Sequence, residues 1–190
     1  MPRGRRPTEE VRADVLAAAG RLLLDEGMER FTIERVAALS GASKVTIYKL
    51  WPSKGALALA GYFAQVESVL GFPETGDLEA DLREQLHSFV QLLTGTPAGP
   101  VIRGLIAEAQ RDPALMDAYL ETYSGPRRRI AVERLESARR AGQLRDDVDA
   151  ESIIDQLWGA CYHRLLLPDQ PLDVPFADRL VTNLFGGIGR

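Results

Sequence analysis

The chain of 190 residues has one cysteine, Cys161, so it cannot close an internal disulfide, and a small bridge-stapled secreted scaffold is excluded. No stretch comes near the ~18 uninterrupted apolar residues of a membrane-crossing helix. The basic N-terminus, Met1-Pro-Arg-Gly-Arg-Arg-Pro7, lacks the apolar run of a signal peptide. Alternating β-branched runs are missing too, which removes the usual mark of strands. Only two histidines occur, and His163 stands two residues from Cys161, so on a helix the pair points in different directions and cannot share a metal. There is no Ser-His-Asp order, phosphate-binding loop or glycine fingerprint. These absences predict a cytoplasmic protein with no membrane contact, no metal, no cofactor and no catalytic centre. The chain is nonetheless 45% hydrophobic, enough for a packed core.

Another absence is local. From residue 35 to residue 66 there is no Asp or Glu, where an even spread of 27 acids would place about four or five. All three lysines, Lys44, Lys49 and Lys54, fall inside that window. The formal charge of −4 therefore hides an asymmetry: residues 1–60 carry ten Lys+Arg against seven Asp+Glu, and the rest thirteen against twenty. A surface facing a polyanion excludes acids while spacing cations. Chance clustering in a small alanine-rich helical segment gives the same composition, so the decision falls to the pattern along the chain.

That pattern is helical throughout, with Ala, Leu, Arg and Glu recurring at three- and four-residue intervals. Thr8 reads as an N-cap, and the stripe Val11, Val15, Ala18, Ala19, Leu22, Leu23 runs to Gly27. Thr32 opens a short helix closed by Ser40-Gly41, and Ser43 caps a second short helix from Lys44 to about Leu50. Ser53 caps a fourth helix running towards Leu70. After the turn cluster Gly71–Gly76, helices are expected over Asp77–Leu93, through Ile102–Ala109 after a Gly95–Pro100 loop, from Pro113 to Arg140, over Ala150–Leu167, and from Pro175 to Gly186. Gly125-Pro126 is expected to kink or split the third of these. The fold class is all-α, with about nine helices: a three-helix helix-turn-helix head over 1–52, a connecting helix over 53–72, and a helical bundle over 73–190.

Two short helices joined by Ser40-Gly41-Ala42 have the length and punctuation of a helix-turn-helix. In the second, Ile47 and Trp51 are apolar and four apart, whereas Lys44, Val45, Tyr48 and Lys49 lie largely on the other side. Two cations, an aromatic ring and a β-branched residue make an odd solvated face and a suitable major-groove face. Ser43 and Thr46 can donate hydroxyls to phosphate. Tyr48 could instead be a half-buried core tyrosine, and Lys54 an idle first-turn lysine.

The run Phe31-Thr-Ile-Glu-Arg-Val-Ala37, followed by Ser40-Gly-Ala-Ser-Lys-Val-Thr-Ile-Tyr-Lys-Leu-Trp-Pro-Ser-Lys54, resembles the N-terminal domain of the TetR family of bacterial transcriptional regulators. Thr46-Ile-Tyr48 and Trp51-Pro-Ser-Lys54 are the most specific parts. The resemblance implies a homodimer that binds a double-stranded DNA operator, usually as a repressor, through the head, and often binds a small-molecule effector through the C-terminal domain. It implies base contacts from Lys44, Val45 and Lys49, and phosphate contacts from Thr46, Tyr48 and Lys54; Ser43 and Thr32, which cap the two short helices, join the phosphate set. Val45 stands where the family often has a small residue, and Leu50 where it often has a polar or aromatic one. Arg3, Arg5 and Arg6 form either a minor-groove arm or an idle basic tail. The competing reading is an all-helical interaction module whose head binds protein.

Further along, Arg127-Arg-Arg129 reads as part of a solvated face in which Arg129 meets Glu133 and Glu136. Ile154, Leu157, Cys161 and Leu165 on one terminal helix, with Leu180 and Leu184 on the other, are the expected dimer residues; the same side chains could complete a protomer core. Phe89, Gln110, Tyr119, Tyr123 and Trp158 are the effector-pocket candidates, each with ordinary core packing as its alternative.

Overall fold

The structure is a computed structural model and describes residues 8–187. Those residues form helices α1 (Thr8–Arg30), α2 (Ile33–Ser40), α3 (Lys44–Leu50), α4 (Lys54–Val66), α5 (Leu78–Gly95), α6 (Ala98–Ala109), α7 (Pro113–Tyr119), α8 (Gly125–Arg140), α9 (Ala150–Leu166) and α10 (Val174–Gly186). A 3-10 turn (Glu67–Leu70) follows α4, and a π turn (Leu120–Ser124) joins α7 directly to α8. The described residues thus form ten α-helices, with no strand among them.

Helix starts follow the sequence. Thr32, Ser43, Ser53, Asp77, Asp112, Asp149 and Asp173 each take a first-turn amide with their side chain. Each such cap stabilises its helix by about 1 kcal/mol, because it satisfies an N–H group that has no partner within the helix. Gly41 ends α2 in the left-handed region (φ 68°) and gives its N–H to the Ala37 carbonyl, which turns the chain sharply into α3.

Gly27 breaks α1 as expected, being non-helical (φ 75°, ψ 177°), with a short helical piece beyond it to Arg30. Two other boundaries differ from expectation. Helix α6 begins at Ala98, ahead of Pro100, because proline lacks only an N–H that has no helical acceptor in a first turn. The interruption expected at Gly125-Pro126 falls just before it, as the π turn Leu120–Ser124 between α7 and α8, and Pro126 sits in the first turn of α8.

The described chain forms two compact units. The first holds the residues up to Glu67 together with Pro100–Tyr123; the second holds Ser68–Gly99 with the residues from Ser124 on. In the first unit α1 lies along α4, and α2 and α3 pack at one end. The α1–α4 crossing is close enough to demand glycine. A Cβ on Gly61 would sit 2.8 Å from the Ala19 Cβ and 2.9 Å from the Gly20 backbone nitrogen, closer than real Cβ atoms come. Val15, Leu23, Phe31, Val36, Ile47 and Leu57 fill the core beneath.

The second unit packs α5 and α9 with α8 and α10 around Leu82, Leu86, Phe89, Leu135, Ile153 and Val181. Polar side chains pin its turns. The Gln143 amide accepts from the Leu78 N–H and donates to the Gly76 carbonyl, both at 2.8 Å. Arg134 donates to Asp81 at 2.5 Å, and both side chains are buried. Burial alone would raise the Asp81 carboxyl, but the Thr75 hydroxyl and amide together with Arg134 hold it below its ordinary value.

Candidate nucleic-acid interface

Helix α3 has seven residues and two unlike sides. Ile47 and the C-capping Trp51 are buried, the latter with the Arg12 guanidinium 5.3 Å above its ring centroid. These contacts hold the helix down on the first unit. Lys44, Val45, Tyr48 and Lys49 face solvent, Val45 with 80% and Tyr48 with 51% of its surface exposed. Tyr48 is therefore not a core residue. Its exposure beside Val45 leaves an apolar and aromatic patch between two cations, the arrangement that base edges and thymine methyls fit.

The remaining candidates lie around this face in different settings. The Ser43 hydroxyl accepts from the Thr46 N–H at 3.1 Å and lies 2.9 Å from the Thr46 hydroxyl. Thr32 takes the Arg35 amide at 3.2 Å. A hydroxyl that accepts from a first-turn amide keeps its own proton to donate, so neither cap removes the group from a phosphate-binding role. Lys54 is placed differently from a bare surface lysine: its ammonium donates to the Met28 carbonyl at 3.3 Å. Arg3, Arg5 and Arg6 lie outside the described residues.

Two partnerships were not readable from local spacing. The Lys44 ammonium meets Glu34 of α2 at 3.2 Å, with both side chains more than half exposed. A hydrogen bond from its own backbone amide, and then Lys44, hold the Glu34 carboxyl below its ordinary value. Arg35 forks onto Glu26 at 2.5 and 2.8 Å and also donates to the Arg30 carbonyl. This clamp ties the start of α2 to the end of α1. The two pairs span ten and nine residues across a helix junction, where helical periodicity carries no information.

The expected effector residues fall in both units. Phe89 and Trp158 belong to the second, with ring centroids 6.4 Å apart, and Tyr119 and Tyr123 to the first, 5.3 Å apart. Gln110 is exposed at the end of α6. The dimer residues also divide. Ile154, Leu157 and Cys161 are buried within the chain itself and pack its own core; burial also pushes the Cys161 thiol up to about 12. Leu165, Leu180 and Leu184 remain partly exposed. The arginine triplet separates as well: Arg127 is buried, Arg128 pairs with Glu151 and Asp155 of α9, and Glu136 pairs with Arg139 rather than serving Arg129.

Comparison with known proteins agrees with this geometry. A family model described as bacterial regulatory proteins, tetR family, matches residues 15–60, and one described as tetracyclin repressor-like, C-terminal domain, matches 72–184. The chain is 32% identical to the HTH-type transcriptional regulator YdeS of Bacillus subtilis over 98% of its own length and 93% of the relative's. It is 34% identical to the DNA-binding transcriptional repressor TetR of Mycobacteroides abscessus, over 90% of each chain. The crystal structure of the TetR family transcription regulator SCO0332 superimposes with a TM-score of 0.91 at 56% identity, covering 95% of this chain and all of the other. With an exposed reading face on a helix-turn-helix and matches across both parts of its length, the chain belongs to the TetR family of DNA-binding transcriptional regulators.

Proposed function

We propose that this regulator is a homodimeric repressor that holds an inverted-repeat operator and lets go of it when a small molecule binds its second unit. The observation that carries the DNA half of this reading is the outward face of α3: Lys44, Val45, Tyr48 and Lys49 stand in solvent within a stretch of chain free of acids. Lys44 and Lys49 reach base edges, Val45 meets a thymine methyl, and Thr32, Ser43, Thr46, Tyr48 and Lys54 hold phosphates. That the Mycobacteroides abscessus relative is a repressor supports repression as the sign of regulation.

Dimerisation is supported by the outer faces of α9 and α10. A groove of about 330 Å³ runs along them, lined by Gln156, Leu157, Leu180, Asn183, Leu184 and Gly187. Beside it Gly159 is exposed with open space where a side chain would stand, so another helix can approach closely. An isologous contact between two such pairs of helices gives the two-fold axis that an inverted repeat requires.

The test is duplex-DNA binding by fluorescence anisotropy across a series of salt concentrations. Phosphate neutralisation releases counterions, so log K falls linearly with log salt at a slope near −0.9 for each neutralised phosphate. Only cations release counterions, so the three lysines of each protomer, six in a dimer, predict a steep line with a slope of up to about −5. Binding that is flat in salt assigns the head to a protein partner instead.

A further inference from the structure

The second unit buries a positive charge among aromatic rings. Arg127, in the first turn of α8, is 7% exposed, with its guanidinium carbon 5.2 Å from the Phe89 ring centroid and 4.8 Å from that of Trp158. Both rings lie within cation–π reach of the group, and a guanidinium carries N–H donors in a planar fork that matches a carboxylate. Tyr162 extends the aromatic wall, its ring 5.5 Å from Phe89.

Gln85 supplies an independent observation. It is 2% exposed, and its Oε1 accepts from the Trp158 indole N–H at 3.1 Å. An indole N–H can only donate, so the orientation of this amide is fixed. Its Nε2 is consequently a buried donor, and no acceptor stands within hydrogen-bond reach. A buried donor left without an acceptor keeps the cost of its desolvation, which a ligand oxygen removes. Arg127 and Gln85 thus meet at one indole, and both present donors. Trp158 and Tyr162 are only partly buried, which gives the cluster a way in. The π turn immediately before Gly125-Pro126-Arg127 is a helical irregularity of the kind found at functional sites.

We propose that the effector is an organic carboxylate with an apolar body, seated against Trp158 and Phe89 with its carboxylate oxygens accepting from Arg127 and from the Gln85 Nε2. This rests on the effector reading above for its regulatory consequence, whereas the binding site itself stands on the residues named here. Neutral molecules of the same shape lose the charge-assisted bonds, and oxygen-poor ones leave Gln85 unsatisfied.

The experiment is a set of paired titrations on the full-length protein, using benzoate, phenylacetate and octanoate against benzamide, phenylacetamide and octanamide. Trp158 fluorescence, read in a Trp51→Phe background, and the rise in melting temperature report binding. At least one acid is expected to bind saturably, and its amide at least ~10-fold more weakly. Arg127→Met should abolish the difference within the pair, and Arg127→Lys should keep it in reduced form. Gln85→Glu retains the acceptor for the indole, removes the Nε2 donor and puts a negative charge where the ligand carboxylate would sit, so it should prevent acid binding without lowering the melting temperature. If no acid in the set binds, or each acid binds no better than its amide, or Gln85→Glu binds the acid as wild type does, the site is overturned. Repeating the titration on the DNA complex of the protein with Trp51 intact, read by calorimetry, separates the two readings. An acid that binds with equal affinity to free and DNA-bound protein leaves the carboxylate site standing and sinks the effector role.

Discussion

Lys44 in the helix-turn-helix and Arg134 in the second unit each hold a carboxylate, Glu34 at 3.2 Å and Asp81 at 2.5 Å, but the first pair is more than half exposed and the second is buried. In water the exposed pair is nearly cost-free to separate, because solvent takes over both charges. Lys44 can therefore be handed to a base or phosphate when DNA arrives. The buried pair has no such exchange available; removing one member leaves the other desolvated and alone. The same division runs through the apolar residues of α9 and α10, where Ile154, Leu157 and Cys161 are sealed in the core and Leu165, Leu180 and Leu184 remain available. The proposed DNA and dimer contacts use groups that folding has left at the surface, whereas the proposed carboxylate site uses Arg127 and Gln85, which it has buried.

The largest effect expected comes from breaking the buried pair. Asp81→Ala strands Arg134 and should lower unfolding free energy by about 3–5 kcal/mol in urea denaturation. Because the native Asp81 carboxyl is held below its unfolded value, its contribution is present at pH above the unfolded value near 3.8 and is lost as pH falls through the lower native value. Stability of the wild type should therefore decline on acidification in that window, and the decline should be shallower in Asp81→Ala.

A second test sets buried against available apolar side chains. Leu180→Asp combined with Leu184→Asp should leave the protomer folded, yield monomers by sedimentation, and weaken operator binding ~100-fold or more, as the second half-site no longer binds intramolecularly. Leu157→Ala should do the opposite, lowering unfolding free energy by ~2–5 kcal/mol while leaving the dimer intact. Dimers of undiminished operator affinity from the Asp variant would move the interface off α10.

Smaller effects sharpen the comparison at the DNA face. Lys54→Ala should reduce the salt slope of DNA binding by about 1 per protomer and weaken all sequences alike. An unchanged slope would mean that Lys54 serves only its bond to the Met28 carbonyl. Glu34→Gln, which breaks the exposed pair, should leave the melting temperature unchanged and tighten binding to DNA of any sequence. A drop in melting temperature would show that the Lys44–Glu34 pair supports the fold in the way that Asp81–Arg134 does.

Much of this arrangement was legible because its signals are local. Thr32, Ser43 and Ser53 announce helix starts, Gly41 announces the turn, and the four-residue spacing of Ile47 and Trp51 fixes which side of α3 faces out. What escaped is non-local. Periodicity says that Ile154, Leu157 and Leu180 are buried or sticky, but not whether the covering surface is their own chain or another. Arg127, Arg128 and Arg129 are adjacent in sequence and meet an aromatic wall, a pair of carboxylates on α9, and solvent respectively. One turn of helix separates their directions by about 100° per residue, and composition cannot see what stands in each direction. The start of α6 at Ala98 and the π turn before Gly125 were hidden for a related reason: proline breaks a helix interior yet fits a first turn, and the sequence alone does not say which applies.

The central claim is that the exposed face of α3 reads base sequence as one half of a two-fold pair. Selection of bound sequences from random duplex DNA, run in parallel with wild type and Lys44→Ala, tests it most directly. Wild type is expected to enrich an inverted repeat with half-sites about 34–36 Å apart or a multiple of that. Lys44→Ala is expected to enrich the same repeat with the preference relaxed by roughly 1–3 kcal/mol at one symmetry-related base pair. No enriched repeat with wild type, or an identical motif from both proteins, would contradict the claim.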